Sequence, residues 1–205
     1  MKILTVSDVT EPILYDHFDP KSFPDVELIL SCGDLPPEYL TFLAHSFQVP
    51  VYYVYGNHDI RSNSKPPEGC INLNAKIAQY GGIRFLGLEG SRWYNGGPHQ
   101  YTERQMRKII RSLRLWIWWR GGIDVVITHA PPRHIHDAED RCHRGFESFR
   151  RLIDKYAPRY FIHGHIHAHF TDPSQRITAV HKTKVVNSYG YFLFEIDNDG
   201  NHQKI

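Results

Sequence analysis

The stretch from Val51 to Asp59 constrains this chain most. Five aromatic or β-branched residues, Val51-Tyr52-Tyr53-Val54-Tyr55, stop abruptly at Gly56-Asn57-His58-Asp59. Such residues suit a buried strand, and the glycine frees the backbone to turn away from it. An amide, an imidazole and a carboxylate therefore arrive together at a strand end. In open α/β sheets the carboxyl edge is where ligands bind. Alone, the tetrapeptide also reads as an ordinary polar turn, since Asn and Asp favour turns. It gains weight because four other strand ends carry the same kind of residue.

Ile3 to Val6 runs into Asp8, and Val26 to Ser31 runs into Cys32-Gly33-Asp34. Asp124 to Thr128 ends at His129, and Arg159 to Ile162 ends at His163-Gly164-His165-Ile166-His167. Helical patterns lie between these runs. Pro36-Pro37 opens one in which Leu40, Leu43, Ala44 and Phe47 share a face. A second starts near Thr102, carries Met106, Ile109, Ile110, Leu113 and Ile117 inward, and ends at Gly121-Gly122. A third spans Phe146 to about Tyr156. Ile71 to Tyr80 and Ile83 to Leu88, joined by Gly81-Gly82, read as a β-hairpin. Arg61 to Gly69 and Gly90 to Pro98 read as loops, and Ile177–Val180, Lys184–Asn187 and Tyr191–Ile196 as an antiparallel finish. Alternating strands and helices with two β-rich sections predict an α/β fold, two mixed β-sheets packed as a sandwich flanked by helices. With no linker or repeat, residues 1–205 are expected to form one domain.

Composition narrows the function. A chain that is 41% hydrophobic and 22% charged is globular, and a net charge of +2 does not by itself call for nucleic acid. No apolar run reaches the roughly 18 residues of a membrane span, and Met1 leads straight into a strand with no room for a signal peptide. Cys32, Cys70 and Cys142 show no paired metal spacing, so a reduced cytoplasm is the expected compartment, without membrane partners. The 14 histidines stand out because six of them fall in two short loops. That clustering points to metal chemistry.

Collected from the strand ends, Asp8, Asp34, Asn57, His129, His165 and His167 offer two carboxylates, one amide oxygen and three imidazoles. This oxygen and nitrogen set suits Mn, Fe, Zn or Ni in preference to a thiolate-seeking ion. One catalytic metal seldom takes so many protein ligands while keeping a position open. Two metals ~3.5–4 Å apart, sharing a carboxylate, can clamp both oxygens of a phosphoryl displacement.

These residues resemble the calcineurin-like metallophosphoesterases, whose blocks D-x-H, G-D, G-N-H-D/E, a lone strand-end H and G-H-x-H occur in that order. The chain shows Asp8-Val9-Thr10, Gly33-Asp34, Gly56-Asn57-His58-Asp59, Thr128-His129 and Gly164-His165-Ile166-His167. The resemblance implies that Asp34 bridges two divalent metals, manganese being favoured. Asp8 and His167 would complete the first site, and Asn57, His129 and His165 the second. A metal-bridging hydroxide would attack a phosphate ester, with His58 as general acid held by Asp59. Thr10 departs from the pattern, because a hydroxyl is a poor ligand beside imidazole. The first site is therefore expected to bind metal more weakly, or to borrow water or Glu11.

The polar run Arg133 to Arg144 follows His129 and offers Arg133, His136, Asp137, Asp140, Arg141 and His143 as substrate contacts or as a solvated loop. His163 reads as a supporting histidine. Arg92, Trp93 and Tyr94, with Arg104, Arg107, Arg111 and Arg114, mix charge and aromatics as single-stranded nucleic-acid surfaces do. An outward helix face is favoured, with Trp116, Trp118 and Trp119 covering the core or an oligomer contact. The expectation is a phosphodiesterase acting on a phosphate-ester substrate. A nuclease, a phosphoprotein phosphatase and a catalytically impaired metal- or nucleotide-binding module are the alternatives.

Overall fold

The computed structural model describes residues 1–60 and 65–196. The first four residues of the expected Arg61 to Gly69 loop, and the chain beyond Ile196, lie outside the described residues. Two large sheets face each other. The first has the order β13-β1-β2-β3-β4, built from Gly190–Glu195, Lys2–Ser7, Val26–Ser31, Val51–Tyr53 and Cys70–Asn72. The second has the order β11-β12-β10-β9-β6-β5, built from Ile177–Val180, Thr183–Asn187, Tyr160–His163, Val125–Thr128, Ile83–Leu88 and Lys76–Tyr80. Strands β1 to β4 run parallel, as do β6, β9, β10 and β12, while β13, β11 and β5 add antiparallel edges. A two-stranded parallel piece pairs β7 (Ser91–Arg92), inside the expected Gly90 to Pro98 loop, with β8 (Gln100–Tyr101), just beyond it.

Strand alternation explains why so many strands read as unbroken apolar runs. Successive side chains point to opposite faces, so a strand buried on both sides needs an apolar residue at every position. Ile3, Leu28, Leu30, Phe85, Val125, Ile127, Ile162 and Val186 point between the sheets and fill the central core. Their neighbours Leu4, Ile29 and Val51 face outward under α1 (Pro37–Phe47), which supplies Tyr39, Leu40 and Leu43. On the far side Leu86, Val126, Phe161 and Val185 meet Met106 of α2 (Glu103–Ser112), Ile117 of α3 (Arg114–Trp119), and Phe149, Leu152 and Ile153 of α4 (Glu147–Tyr156). The result is four layers, helix, sheet, sheet, helices.

Local chemistry sets the helix ends. A capping box starts α2: Gln105 N–H donates to Thr102 Oγ1 (3.3 Å) and Thr102 N–H to Gln105 Oε1 (2.7 Å). Phe146 gives α4 no side-chain cap, and Glu103 of the neighbouring helix accepts from Glu147 N–H and Ser148 N–H instead. A carboxylate there also suits the positive end of the helix dipole.

Three expectations need correction. The single helix from Thr102 to the glycine pair is two helices that meet at Leu113. Just before the break, the Ser112 hydroxyl donates back to Ile109 O (2.7 Å), a bond that loosens helical geometry. The long hairpin is divided as well. Cys70–Asn72 pairs with β3 in the first sheet, and Lys76–Tyr80 pairs with β6 in the second. The final strands do not form one antiparallel unit, because β13 leaves the second sheet to pair with β1.

Arg84 and Asp124 lock β6, β9 and α3 together. Both side chains are under a tenth exposed, Nε donates to Oδ2 at 2.7 Å and Nη2 to Oδ1 at 2.9 Å, and Nη1 reaches the carbonyls of Arg120 and Gly121. Removing one partner of such a buried pair strands the other charge, which costs about 3–5 kcal/mol. Asp124→Ala should therefore lose about that much in urea unfolding. A loss below about 1 kcal/mol would show the pair to be incidental.

Candidate functional site

The parallel strands deliver their carboxyl ends to one edge. Asp8 follows β1, Asp34 lies three residues past β2, Asn57 follows β3, His129 follows β9, and His165 and His167 follow β10. Asp8, Asp34 and His165 each adopt a left-handed backbone, with φ of 68°, 57° and 64°. Aspartate and histidine enter that region more readily than most residues other than glycine. Two glycines allow the crowding. A Cβ on Gly56 would overlap Asp34 Oδ1 and stand 2.7 Å from His129 Cε1, and one on Gly164 would overlap Ser7 Oγ and stand 2.6 Å from Asp8 Oδ2.

Four side chains from the two sheets come together. His129 Nε2 lies 3.3 Å from Asp34 Oδ2 and 3.1 Å from Asn57 Oδ1, while its Nδ1–H donates to the Cys32 carbonyl at 2.8 Å. The His165 ring is 4.7 Å from that of His129, and its Nε2–H donates to Cys142 O at 2.8 Å, which leaves Nδ1 as its lone-pair nitrogen. Ligand atoms of Asp34, His129 and His165 all fall within 4.8 Å of one another. A carbonyl holding the outer nitrogen of each ring is the usual support of a metal-binding histidine. Asn57 is held too, its amide Nδ2–H donating to Tyr94 Oη at 3.2 Å.

Asp8 is placed differently. Its Oδ2 accepts from the Ser7 hydroxyl (2.5 Å) and from His165 N–H (3.0 Å). Its Oδ1 is buried without a hydrogen bond among the described residues and lies 3.5 Å from His167 Nε2. An orphaned buried carboxylate oxygen calls for a cation or a water. His167 itself is more than half exposed, stacked on Tyr189 at 4.7 Å. Thr10 makes no side-chain hydrogen bond among the described residues, and the Glu11 carboxylate packs against Gly190. The donor set thus fits metal well around Asp34 and more sparsely around Asp8.

Electrostatics follow from this crowding. Burial alone would raise the Asp34 carboxyl, but His129 and the His58 N–H outweigh it and hold it at about 2. Burial opposes charge on His129, yet Asp34 and Asp8 lift its ring to about 9. Burial, with the charge of His129 behind it, lowers His165 to about 4.

A cavity of about 290 Å³ opens over the cluster, lined by Asp8, Asp34, His58, Cys142, His143, His165 and His167. His58 is exposed on its rim, and its backbone N–H donates to Asp34 Oδ1 at 2.7 Å. Asp59 is turned elsewhere, since Oδ2 accepts from Gly56 N–H (2.7 Å) and Asp34 N–H (2.8 Å). Among the described residues it braces the loop backbone and makes no hydrogen bond to the His58 ring. Burial first, then the charge of Asp34, raises its carboxyl to about 6.

The four substrate candidates separate. His143 lines the cavity, its ring 5.2 Å from His165. Arg141 is exposed and has no ion pair among the described residues. Arg133 is bound to Asp137 (2.6 Å) and Glu139 (2.8 Å), and its guanidinium is already matched by carboxylates. His136 bridges His163 Nε2 and Thr178 Oγ1, both at 2.8 Å, and does not line the cavity. Ser7, Tyr94, Cys142 and Tyr189 are the contacts that pattern reading missed; of these, Tyr94 alone stood in a segment already marked for its aromatics. Trp116, Trp118 and Trp119 are exposed and do not cover the core.

The calcineurin-like phosphoesterase family model matches residues 1–169. The chain belongs to this family of metal-dependent phosphoesterases, which act on phosphate esters. Curated proteins give no sequence match. Among solved structures, TT1561 of Thermus thermophilus superposes with a TM-score of 0.63 at 15% identity, covering 92% of this chain and 89% of that one. The calcineurin-like phosphoesterase YfkN from Bacillus subtilis gives 0.56 at 11% identity, with 94% and 83% covered. GAP50, described as the anchor in the inner membrane complex of Plasmodium, gives 0.56 at 14% identity, with 91% and 70% covered. At these identities the likeness is one of fold. No helix among the described residues is long and apolar enough to cross a membrane.

The buried histidines make the metal-free chain sensitive to acid. Burial lowers His163 to about 3, and His165 to about 4, whereas an unfolded histidine titrates near 6.5. Below that pH the unfolded chain binds more protons, so stability drops as pH falls towards 4. Asp59, raised to about 6, acts in the opposite direction, and His129, raised to about 9, adds a small part to it as the unfolded imidazole finishes titrating near 6.5, but the two buried histidines outweigh both. Urea midpoints in the presence of chelator should be lower at about pH 4.5 than at about pH 6.5. A midpoint that holds or rises on acidification would contradict this balance.

Proposed function

We propose that the chain is a single-domain phosphodiesterase that uses two divalent metal ions, manganese being favoured. The observation that carries the reading is the convergence of Asp34, Asn57, His129 and His165 from both sheets beside an open cavity. Asn57, His129 and His165 would hold one ion, Asp8 and His167 the other, and Asp34 would be shared. When bound, such ions supply Lewis acidity and bring the pKa of a coordinated water towards neutrality. The chain's own groups do the rest. His58, on the cavity rim, protonates the leaving oxygen, and Asp59 holds the Gly56 and Asp34 backbone in register for it. His143 and Arg141 are the remaining candidates for contact with the substrate.

The diester preference rests on charge. The cavity lining contains no Lys or Arg among the described residues, and its two carboxylates offset part of the metal charge. Such a site favours a singly charged diester over a doubly charged monoester. With Mn²⁺, bis(p-nitrophenyl) phosphate should be hydrolysed faster than p-nitrophenyl phosphate; the reverse order would overturn the preference. His58→Ala should lower kcat by about 10²–10⁴ while metal content stays the same. Unchanged turnover would remove His58 from the acid role.

Thr10 favours a second reading, a metal-binding module without turnover; GAP50, described as an anchor, has a related fold. Metal titration separates the two. Calorimetry should resolve one tight and one weak site, and Thr10→His should tighten the weak one by about tenfold or more. Two equally tight sites in the unaltered chain would refute the assignment of a weakened first site.

A further inference from the structure

The most exposed apolar surface lies far from the candidate metal centre. Leu115, Trp116, Trp118 and Trp119 are 78%, 56%, 80% and 66% exposed, and they supply four of the nine exposed large hydrophobics among the described residues. They stand on one short helix, α3, while the buried Leu113 and Ile117 hold it to the core. A groove of about 1010 Å³ runs beside them, lined by Arg111, Arg114, Leu115, Trp118, Lys155 and Tyr156 among others. Arg107 and Arg151 line an adjoining pocket of about 250 Å³. None of Arg107, Arg111, Arg114, Arg151 and Lys155 is paired with a carboxylate among the described residues. The strand connections fix the position. Gly121 and Gly122 lead from α3 to the amino end of β9, and Tyr156 leads from α4 to the amino end of β10, whereas His129 and His165 follow the carboxyl ends of the same strands.

We infer that this face docks on an anionic phospholipid bilayer. Tryptophan partitions into the headgroup region, leucine just below it, and each Lys or Arg near an anionic leaflet adds electrostatic attraction. A cluster of apolar rings ringed by unpaired cations meets both requirements. Other occupants fit less well. A two-fold contact with a second copy would bring two cationic rims together. Nucleic acid needs open ring faces for stacking. Here Arg120 lies over Trp119 at 5.3 Å, and Trp116 meets Trp119 edge to face at 79°. Leu115, the second most exposed of the four, offers no stacking surface at all. Docked this way, the protein keeps its carboxyl edge turned away from the bilayer and open to substrate.

Flotation of the full chain with vesicles tests the inference. The protein should bind phosphatidylcholine vesicles containing roughly 30% phosphatidylserine at least about tenfold more tightly than pure phosphatidylcholine vesicles, and raised salt should weaken binding. Trp118→Ser with Trp119→Ser, and separately Arg111→Glu with Arg114→Glu, should each reduce binding by about tenfold or more. Both pairs are exposed, so thermal unfolding should match the parent and diester hydrolysis should be unchanged. The inference is overturned by failure to float with anionic vesicles, or by tryptophan variants that bind as well as the parent. It is equally overturned by a dimer in light scattering that the tryptophan changes dissolve, or by tighter binding to a single-stranded oligonucleotide than to vesicles.

Discussion

The contact on which this structure turns is the one between Asp34 and His129. One residue leaves the first sheet and the other the second, and their side chains meet at 3.3 Å above the central core. Each is fixed from behind. Asp34 is held by the loop that Asp59 braces, and His129 by the Cys32 carbonyl. Because Cys32 and Asp34 follow the same strand, β2 supplies both the support of the histidine and its charged neighbour. The two sheets are therefore joined at this edge by polar groups with defined directions, in addition to a core whose packing is non-directional.

Most of the fold could be read from the chain. Doubly buried parallel strands leave continuous apolar runs, and those of β1, β2, β3, β9 and β10 are short, β-branched and closed by Gly or a polar residue. The candidate cluster was legible for the same reason, since strand ends on one edge are placed together by topology. What could not be read was the partnership of short strands. Cys70–Asn72 and Lys76–Tyr80 are nearly contiguous, and nothing local to Leu73-Asn74-Ala75 says that the chain changes sheets there. The interruption at Leu113 was hidden because the apolar stripe continues across it in phase.

Side-chain direction was the other limit. Asp59 follows His58 directly, yet its carboxylate turns to backbone N–H groups in the loops that follow β2 and β3. Arg133 and His136 lie in a loop that starts at the active edge, but carboxylates claim one, and the buried His163 with Thr178 claims the other. Sequence places such residues near an edge. Which way each one points is decided by the nearest unsatisfied partner, and burial makes that preference strong.

The two-sided burial of the central strands carries a consequence for divergence. In β1, β2 and β9 adjacent residues belong to different cores, Ile3 to one and Leu4 to another, Val125 to one and Val126 to another. Almost any aliphatic residue will serve at each place, but deleting a single residue would exchange the two faces and spoil both cores at once. Such strands can lose nearly all their original letters while their length stays locked. Neighbours at 11–15% identity still superpose over most of this chain.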